Sequence, residues 1–238
     1  MNKILLIAIA MFGFSSIVRA DGFTVFATRA DQNPTDILDW SLALGPAPGS
    51  FTTPQVVSTF NGNNALVGNT PGGSFQRVDQ GTGWNGSFDY GETLVWTGNS
   101  SNGGGGPFAL VLQNAVGSFG FGIETDLAAP FTATVFAYDS TGALLFSDAF
   151  NGLAGTGCNC GNELFIGMGD TTGVNINAIV ISTSNGASDP TGAFANDFAI
   201  DDVSFTDTAA SVPEPGSIVL LGSGLLGLAG LLRRKLSI

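Results

Sequence analysis

Apolar residues between positions 21 and 208 occur in short runs that are separated by Gly, Asn, Asp, Ser and Thr. No stretch in this region keeps an apolar stripe of helical period over about 11 residues. The clearest runs have the length of β-strands and cover residues 108–113, 116–124, 131–138, 144–150, 164–168, 178–183 and 198–205. Repeated short strands without intervening helices predict an all-β fold, an antiparallel β-sandwich of jelly-roll type.

The last of these runs contains an irregularity in its side-chain alternation. Phe198 and Ile200 share one face of a strand, whereas Val203 and Phe205 share the other. If both pairs face the core, the phase must slip at residues 201–202, which is what a β-bulge does. Alternatively, the odd-numbered residues form one face and no slip is needed. The bulge prediction is wrong if the strand ladder continues without a break through Asp201 and Asp202.

The two ends of the chain are set apart from this region. Lys3 precedes an apolar stretch at residues 4–14, and Ala20 ends a short cleavage-type sequence. This pattern predicts a signal peptide at residues 1–20, and its apolar run is short for an uncleaved anchor helix. We therefore expect an exported sandwich domain at residues 21–208, a linker at 209–216, a transmembrane helix at 217–232 and a basic cytoplasmic tail at 233–238.

The exported region is strongly acidic. Residues 21–207 contain 18 of the 19 acids and only two basic residues, Arg29 and Arg77, so their net charge is −16. Nucleic acids and anionic headgroups need Lys or Arg to neutralise phosphate. The charge therefore excludes nucleic-acid binding and leaves divalent cations as plausible ligands.

Most catalytic arrangements cannot be built from this composition. The chain has no His, and residues 21–208 have no Lys, so His-dependent triads and lysine nucleophiles are excluded. A pair of carboxylates could still hydrolyse a glycoside, but so many acids produce accidental pairs. We expect a non-catalytic protein.

Calcium is the cation that suits this set of oxygen donors best. Adjacent aspartates at a strand or bulge can present carboxylate and carbonyl oxygens together. The candidate ligands are Asp21, Asp197, Asp201 and Asp202. The alternative is that these acids are solvated or accept hydrogen bonds from main-chain amides.

Exposed aromatic side chains would be suited to stacking on sugars. Trp40, Trp84, Trp96 and Tyr90 are the candidates, with Asn and Asp nearby as partners for hydroxyl groups. The alternation of Leu94 and Trp96 predicts that Trp96 is buried. Trp84 lies between glycines in a turn-like segment, so Trp84 and Tyr90 are the candidate glycan-binding residues.

The cysteines lie one residue apart. Cys158 and Cys160 flank Asn159 within a Gly-bounded loop, and export would permit a disulfide between them. A bridge over so short a loop would stabilise the fold little. The sequence leaves open whether the pair is oxidised or free, and it offers too few ligands for a zinc site.

The C-terminal residues have three parts in a fixed order. A proline-flanked acid comes first, then an uncharged apolar run at 217–232, then a basic cluster. The box is Val212, Pro213, Glu214 and Pro215, and the basic cluster is Arg233, Arg234 and Lys235. The apolar run would form a helix of ~24 Å, somewhat shorter than a ~30 Å hydrocarbon core. The basic end would stay cytoplasmic, which leaves the acidic domain outside.

This tail resembles the PEP-CTERM sorting signal of Gram-negative bacteria, and a similar tail is also called an ice-binding protein C-terminal domain. The resemblance implies recognition by a membrane-embedded exosortase and cleavage near Pro213, Glu214 and Pro215. It also implies transient anchoring by the C-terminal helix, followed by display at the cell surface or release into an extracellular polysaccharide matrix.

Residues 198–205 resemble the closing strand of MAM-type and carbohydrate-binding-like jelly rolls. That resemblance supports the sandwich fold and is compatible with calcium or glycan binding. We expect a binding or structural module associated with exopolysaccharide, with a lectin-like adhesin that binds glycan or calcium as the alternative.

Overall fold

The computed structural model describes residues 22–45, 48–68, 73–99, 103–104, 107–158, 160–184 and 197–208. These residues form two large β-sheets, a two-stranded ribbon and two short helices. The all-β fold predicted from the repeated short apolar runs is confirmed. The signal peptide, the linker, the sorting box and the apolar segment at 217–232 lie outside the described residues. Within the described ranges, no helix is long and apolar enough to cross a membrane.

The larger sheet has ten strands in the described part of the chain. They are β1 (Phe23–Phe26), β2 (Asp36–Leu38), β3 (Gly49–Thr52), β6 (Ser74–Gln80), β7 (Gly83–Trp84), β8 (Thr93–Trp96), β12 (Ser118–Thr125), β15 (Leu164–Asp170), β17 (Phe198–Ile200) and β18 (Val203–Thr206). The main path runs β1-β15-β12-β17-β8-β6-β3, and β18 joins β12 to β2. The β6–β7 pair is parallel, and the other pairs of this sheet are antiparallel.

The second sheet has six described strands in the order β14-β13-β16-β11-β5-β4. They are β4 (Gln55–Ser58), β5 (Asn64–Gly68), β11 (Phe108–Val116), β13 (Pro130–Tyr138), β14 (Leu144–Leu153) and β16 (Ile176–Ser184). A small ribbon pairs β9 (Gly98–Asn99) with β10 (Gly103–Gly104). The helices are α1 (Arg29–Gln32) and α2 (Trp40–Leu44), which begin at Thr28 and Asp39 as side-chain N-caps.

The main core lies between the two sheets and is rich in aromatic and branched side chains. Phe119, Phe121 and Ile123 of β12 meet Ala133 and Val135 of β13 within this single cluster of buried residues. The alternating direction of side chains along β13 explains its burial pattern, because each second side chain points into the sandwich. This burial supplies the driving force that joins the two sheets.

The outer face of the ten-stranded sheet is also covered. All eight residues of β12 are buried, including Gly120, Gly122 and Glu124, which point away from the main core. A Cβ at Gly120 would lie 2.6 Å from both Gln32 and Phe165, so only a glycine leaves room for this cover. The segments that cover this face, around α1 and around residues 84–92 and 153–163, therefore bury several carboxylates.

The closing strand contains the predicted bulge. Ile200 pairs with Ile123 and Ser204 pairs with Gly120, so residues 201–203 lie opposite only residues 121–122 of β12. The extra residue allows the core to bury Phe198 and Ile200 as well as the pair that follows them. It also changes the strand's second partner, which is β8 before the bulge and β2 after it. The β-bulge prediction is confirmed.

Candidate functional site

The bulge places two aspartates beneath the covering segments of the large sheet. The main-chain N–H of Asp201 donates to the Gly122 carbonyl at 3.2 Å, and the Gly122 N–H donates to the Asp201 carboxylate at 2.5 Å. The side chain of Asp201 thus replaces a ladder acceptor that the bulge removes. Asp202 accepts from the Trp40 N–H at 3.0 Å, and the Trp40 indole donates to the Asp201 carbonyl at 2.6 Å. The bulge therefore also anchors the start of α2.

Arg29 supplies the charge partner of Asp201. Its Nη2 lies 2.5 Å from the second carboxylate oxygen of Asp201, whose side chain is only 4% exposed. The Arg29 side chain is 30% exposed and its guanidinium lies over the Phe165 ring, 5.8 Å from the centroid. Both carboxylate oxygens of Asp201 are thus occupied by protein donors.

The acids around the bulge have raised pKa values, and their charges raise one another's pKa further. Burial raises the pKa of Asp201 to about 8, Arg29 opposes that rise, and Glu92 and Glu163 add to it. Burial, followed by the Glu163 charge, raises the pKa of Glu92 to about 7. Burial raises the pKa of Glu163 as well, and one of its carboxylate oxygens is buried without a partner among the described residues. Burial raises the pKa of Asp202 to about 6, against the hydrogen bond from Trp40.

Glu124 has a different role on the same strand face. Its two carboxylate oxygens accept from the main-chain N–H groups of Ser87, at 2.7 Å, and Gly155, at 2.5 Å. A Cβ at Gly86 would lie 1.9 Å from this carboxylate, so only glycine at position 86 lets the loop lie so close to Glu124. Glu124, which is 1% exposed, therefore ties two covering loops to the sheet.

Asp197 is fully buried, and neither of its carboxylate oxygens has a hydrogen-bond partner in the described structure. Burial, followed by the charge of Asp126, raises its pKa to about 7. The Asp126 N–H donates to the Asp197 carbonyl at 3.2 Å, which brings the two residues together at the ends of β12 and β17. A Cβ at Gly98 would lie 2.2 Å from the Asp197 carboxylate.

The predicted calcium ligands do not come together as one site in the described structure. No group of three or more His, Cys, Asp or Glu side chains among the described residues could hold a metal. Asp201 and Asp202 accept the protein hydrogen bonds given above, as the alternative for these acids predicted. Asp21 lies outside the described residues, and Asp197 is adjacent to Asp126.

The exposure predicted for Trp84 is wrong. Its side chain is 4% exposed and packs edge-on against Trp96, with ring centroids 6.0 Å apart. Both rings belong to a second hydrophobic cluster beneath the covering loops, which a turn-like local sequence does not reveal. Trp40 is fully buried, whereas Tyr90 is 73% exposed. Tyr90 stays a candidate for stacking on a sugar.

The cysteine loop packs over the same covered face. Cys158 and Cys160 are joined in a disulfide with their Cα atoms 5.2 Å apart. Next to it, the Asn162 N–H donates to the Ser87 carbonyl at 2.9 Å, and the Gly157 N–H donates to the Asn85 carbonyl at 3.0 Å. The disulfide therefore lies in a loop that packs against residues 85–87, the segment whose Ser87 N–H is bound by Glu124.

Sequence reasoning missed Arg29, Glu92, Glu124, Glu163 and Asp126. For Arg29 a signal was available, because one of only two arginines in an acidic domain is expected to pair with a buried acid. The four acids carried no such signal, because they are separated from the bulge by tens of residues and meet only through sheet pairing.

Comparison with known proteins adds one clear match. Residues 211–235 match the model of the PEP-CTERM protein-sorting motif. The chain thus carries the sorting motif predicted from its tail, which implies an exported protein that exosortase sorts to the cell envelope or surface. A search of curated proteins finds no match.

Two solved structures share a distant similarity with the chain. A DUF4465 family protein from Bacteroides caccae is 12% identical, with a TM-score of 0.38 over 77% of this chain and 99% of its own. The enzymatically active domain of tailspike protein 4 of bacteriophage CBA120 is 12% identical, with a TM-score of 0.27 over 67% of this chain and 19% of its own. These similarities are too low to support an argument about function.

Proposed function

We propose that the sandwich is a non-catalytic module that binds a neutral polysaccharide at the cell surface or in the extracellular matrix. The sorting motif supports delivery of the module to that location. The observation that supports binding is the outward face of the six-stranded sheet, which lacks charge although the exported region has a net charge of −16.

This outward face is identified by strand alternation. In β13, Ala133, Val135 and Ala137 are fully buried, so the residues between them point outward. The same alternation in the other strands gives an outward set without any Asp, Glu, Lys or Arg. Its members include Ser58, Asn64, Gln113, Thr132, Thr134, Phe136, Ser147, Ala149, Asn151, Val180, Ser182 and Ser184.

One row of apolar and aromatic side chains crosses the face from edge to edge. Each member is the register partner of the next, from β4 to β14: Val56, Leu66, Val111, Ala178, Tyr138 and Leu144. Val56 is 62% exposed and Val111 is 42% exposed. At a strand spacing of about 4.8 Å the row is ~24 Å long.

The chemistry of the face matches that of an extended sugar chain. The central row offers apolar contact and one phenol. Hydroxyl and amide side chains (Ser58, Asn64 and Gln113) flank it on one side. On the other side a second, mostly apolar row (Ala109, Val180 and Phe136) separates it from the hydroxyl groups of Thr134 and Ser182. Sugars present apolar ring faces and hydroxyl groups in the same combination, whereas an anionic polymer would be repelled by the surrounding acids. A neutral polysaccharide is therefore the ligand class that this face would accept.

The two tyrosines of the chain provide a matched test of this proposal. Tyr138→Ala removes the phenol from the central row and is expected to weaken binding to a neutral polysaccharide about tenfold, since loss of ring contact corresponds to about 1.4 kcal/mol. Tyr90→Ala removes an exposed ring elsewhere and should leave binding unchanged. The measurement is affinity electrophoresis of the full chain in gels that contain neutral or acidic polysaccharides.

Two results would contradict the sheet-face proposal. One is unchanged mobility of the wild-type chain in every neutral polysaccharide. The other is loss of binding in Tyr90→Ala with normal binding in Tyr138→Ala, which would favour the lectin-like alternative with Tyr90 as its platform. Circular dichroism of each variant checks that the fold is intact.

We further propose that the apolar segment at 217–232 is a transient anchor that exosortase removes. Deleting residues 212–215 from a chain tagged within its exported domain should leave it at full length in the membrane fraction. The unmodified chain should become shorter and move to the surface or matrix fraction. Serine at both Ala209 and Ala210 serves as a control outside the box. Equal size and location of the deleted and unmodified chains would show that the box is not used.

A further inference from the structure

We propose that Asp126 and Asp197 bind a divalent cation, with calcium as the ion that suits them best. This site is separate from the sheet face proposed to bind polysaccharide. It also differs from the ligand set that the sequence suggested, because Asp126 takes the place of Asp201 and Asp202.

The first reason is that the Asp197 carboxylate is buried without a hydrogen-bond partner in the described structure. The side chain has no exposed surface, and both of its oxygens lack a partner in the described structure. Buried carboxylates are normally paired or accept several hydrogen bonds, because an isolated buried charge is very unfavourable. Such a side chain needs either a bound proton or a bound cation.

Neither basic side chain of the exported region is placed to neutralise Asp197, whose pKa responds to burial and to Asp126. The region has two basic residues. Arg29 contacts Asp201, and Arg77 donates to Thr93 at 3.1 Å and lies 3.6 Å from Asp79. The compensating charge must therefore come from outside the protein.

Asp126 supplies the second carboxylate. Its N–H contacts the Asp197 carbonyl, and its charge adds to the rise in the pKa of Asp197 that burial causes. Burial also raises the pKa of Asp126 itself. Two neighbouring acids repel each other when ionised, and a divalent cation between them converts that repulsion into attraction.

Gly98 adds a steric reason. A side chain at position 98 would meet all three terminal atoms of the Asp197 carboxyl group within 2.5 Å. Only glycine at position 98 leaves room for the Asp197 carboxylate, so any other residue there would displace its oxygens. The backbone at Gly98 therefore limits where the Asp197 carboxylate can lie.

Calcium fits this donor set better than other cations. It takes six to eight oxygen ligands in flexible geometry, so two carboxylates can be completed by main-chain carbonyls and water. Magnesium requires near-octahedral geometry and releases its water reluctantly. With only two acids the site should be weak, with a dissociation constant on the order of 10⁻⁴ to 10⁻³ M, as in extracellular modules.

The test compares the melting of the purified full chain, in mild detergent, in EDTA and in a series of calcium concentrations. Calcium at a hundredfold excess over its dissociation constant is expected to raise the melting temperature by about 5 to 10 °C. Asp197→Asn and Asp126→Asn should each abolish this rise. Asp207→Asn, which removes an exposed acid, should keep it. Magnesium at the same concentrations should give a smaller rise.

Asp197→Asn has a second diagnostic property. It removes the unpartnered charge, so in EDTA near neutral pH this variant should melt no lower than the wild-type chain. Isothermal titration with calcium chloride measures the same site directly and does not depend on unfolding. If Asp197→Asn fails to fold, Asp126→Asn and the titration still decide the outcome.

Two outcomes would overturn the site. One is a wild-type melting temperature that calcium does not change, with no heat of binding. The other is a calcium response that persists in both asparagine variants. Polysaccharide binding in EDTA distinguishes the two proposals, because failure of the cation site leaves the Tyr138 comparison unaffected.

Discussion

Replacing Arg29 by alanine is expected to lower the free energy of unfolding by about 2 kcal/mol at pH 9.5, where the wild-type Asp201 carboxyl, with a pKa of about 8, is ionised. The substitution leaves the buried carboxylate of Asp201 with a single donor, the Gly122 N–H. Breaking a buried ion pair from one side is costly because the remaining carboxyl group must either stay charged without a partner or take up a proton, which is unfavourable above its wild-type pKa. The 30% exposure of the Arg29 side chain keeps the effect below the roughly 3–5 kcal/mol that breaking a fully buried pair costs. Urea unfolding at fixed pH measures it.

The double variant separates the ion pair from general loss of packing. Asp201→Asn in the Arg29→Ala background removes the orphaned charge, so it should recover part of the lost stability. Thr28→Ala, which only removes the N-cap of the same short helix, should cost about 1 kcal/mol. A loss below about 1 kcal/mol in Arg29→Ala would mean that Asp201 does not depend on the guanidinium.

Stability in EDTA is expected to fall by at least about 3 kcal/mol as the pH rises from 5 to 8, which is roughly the loss from Asp201 alone. Burial raises the pKa of Asp201 to about 8, of Asp197 and Glu92 to about 7, and of Asp202 to about 6. These groups hold a proton in the folded state that they lose in the unfolded chain. Their stabilising contribution is therefore complete at pH values below about 4 and is lost as the pH rises through their folded pKa values. Urea unfolding at pH 5, 6.5 and 8 measures the slope.

Single amide variants identify the groups responsible. Asp197→Asn and Glu92→Gln should each flatten the slope between pH 5 and 8, because an amide does not titrate in that range. Asp139→Asn should not flatten it, since side-chain and main-chain hydrogen bonds hold the pKa of this exposed turn residue below its usual value. A stability that rises from pH 5 to pH 8 in EDTA would contradict the raised pKa values.

Calcium should oppose this pH dependence in the wild-type chain. Metal ligands must be deprotonated, so the cation competes with the proton at Asp197 and binds more tightly as the pH rises. The stability lost at pH 8 would then be partly restored by calcium. Both effects have the same physical cause, which is a buried carboxyl group that must be neutralised.

The strands and the bulge were predictable because their signals are local. The short apolar run at residues 131–138 predicts β13 to within a residue of its bounds, and the phase slip at residues 201–202 predicts the bulge. The sorting motif was equally readable, because a proline-flanked acid, an apolar run and a basic end lie within one continuous stretch.

Long-range contacts were not predictable in the same way. Trp84 is buried because the second cluster forms on the covered face, which requires β6, β8 and β17 to be neighbours. Arg29 meets Asp201 across 172 positions of sequence. Neither contact leaves a pattern in the residues next to it.

The sequence by itself determined the all-β class, the strand periods, the acidic charge and the sorting tail of this protein, since each depends on neighbouring residues or on composition. Only the tertiary structure decided which acids are buried, which of the two sheets has a covered outer face, and which face is free of charge. The physical reason is that burial depends on strand order and on the loops that cross a sheet. A carboxylate such as Asp197 acquires its chemistry only from residues brought to it by folding.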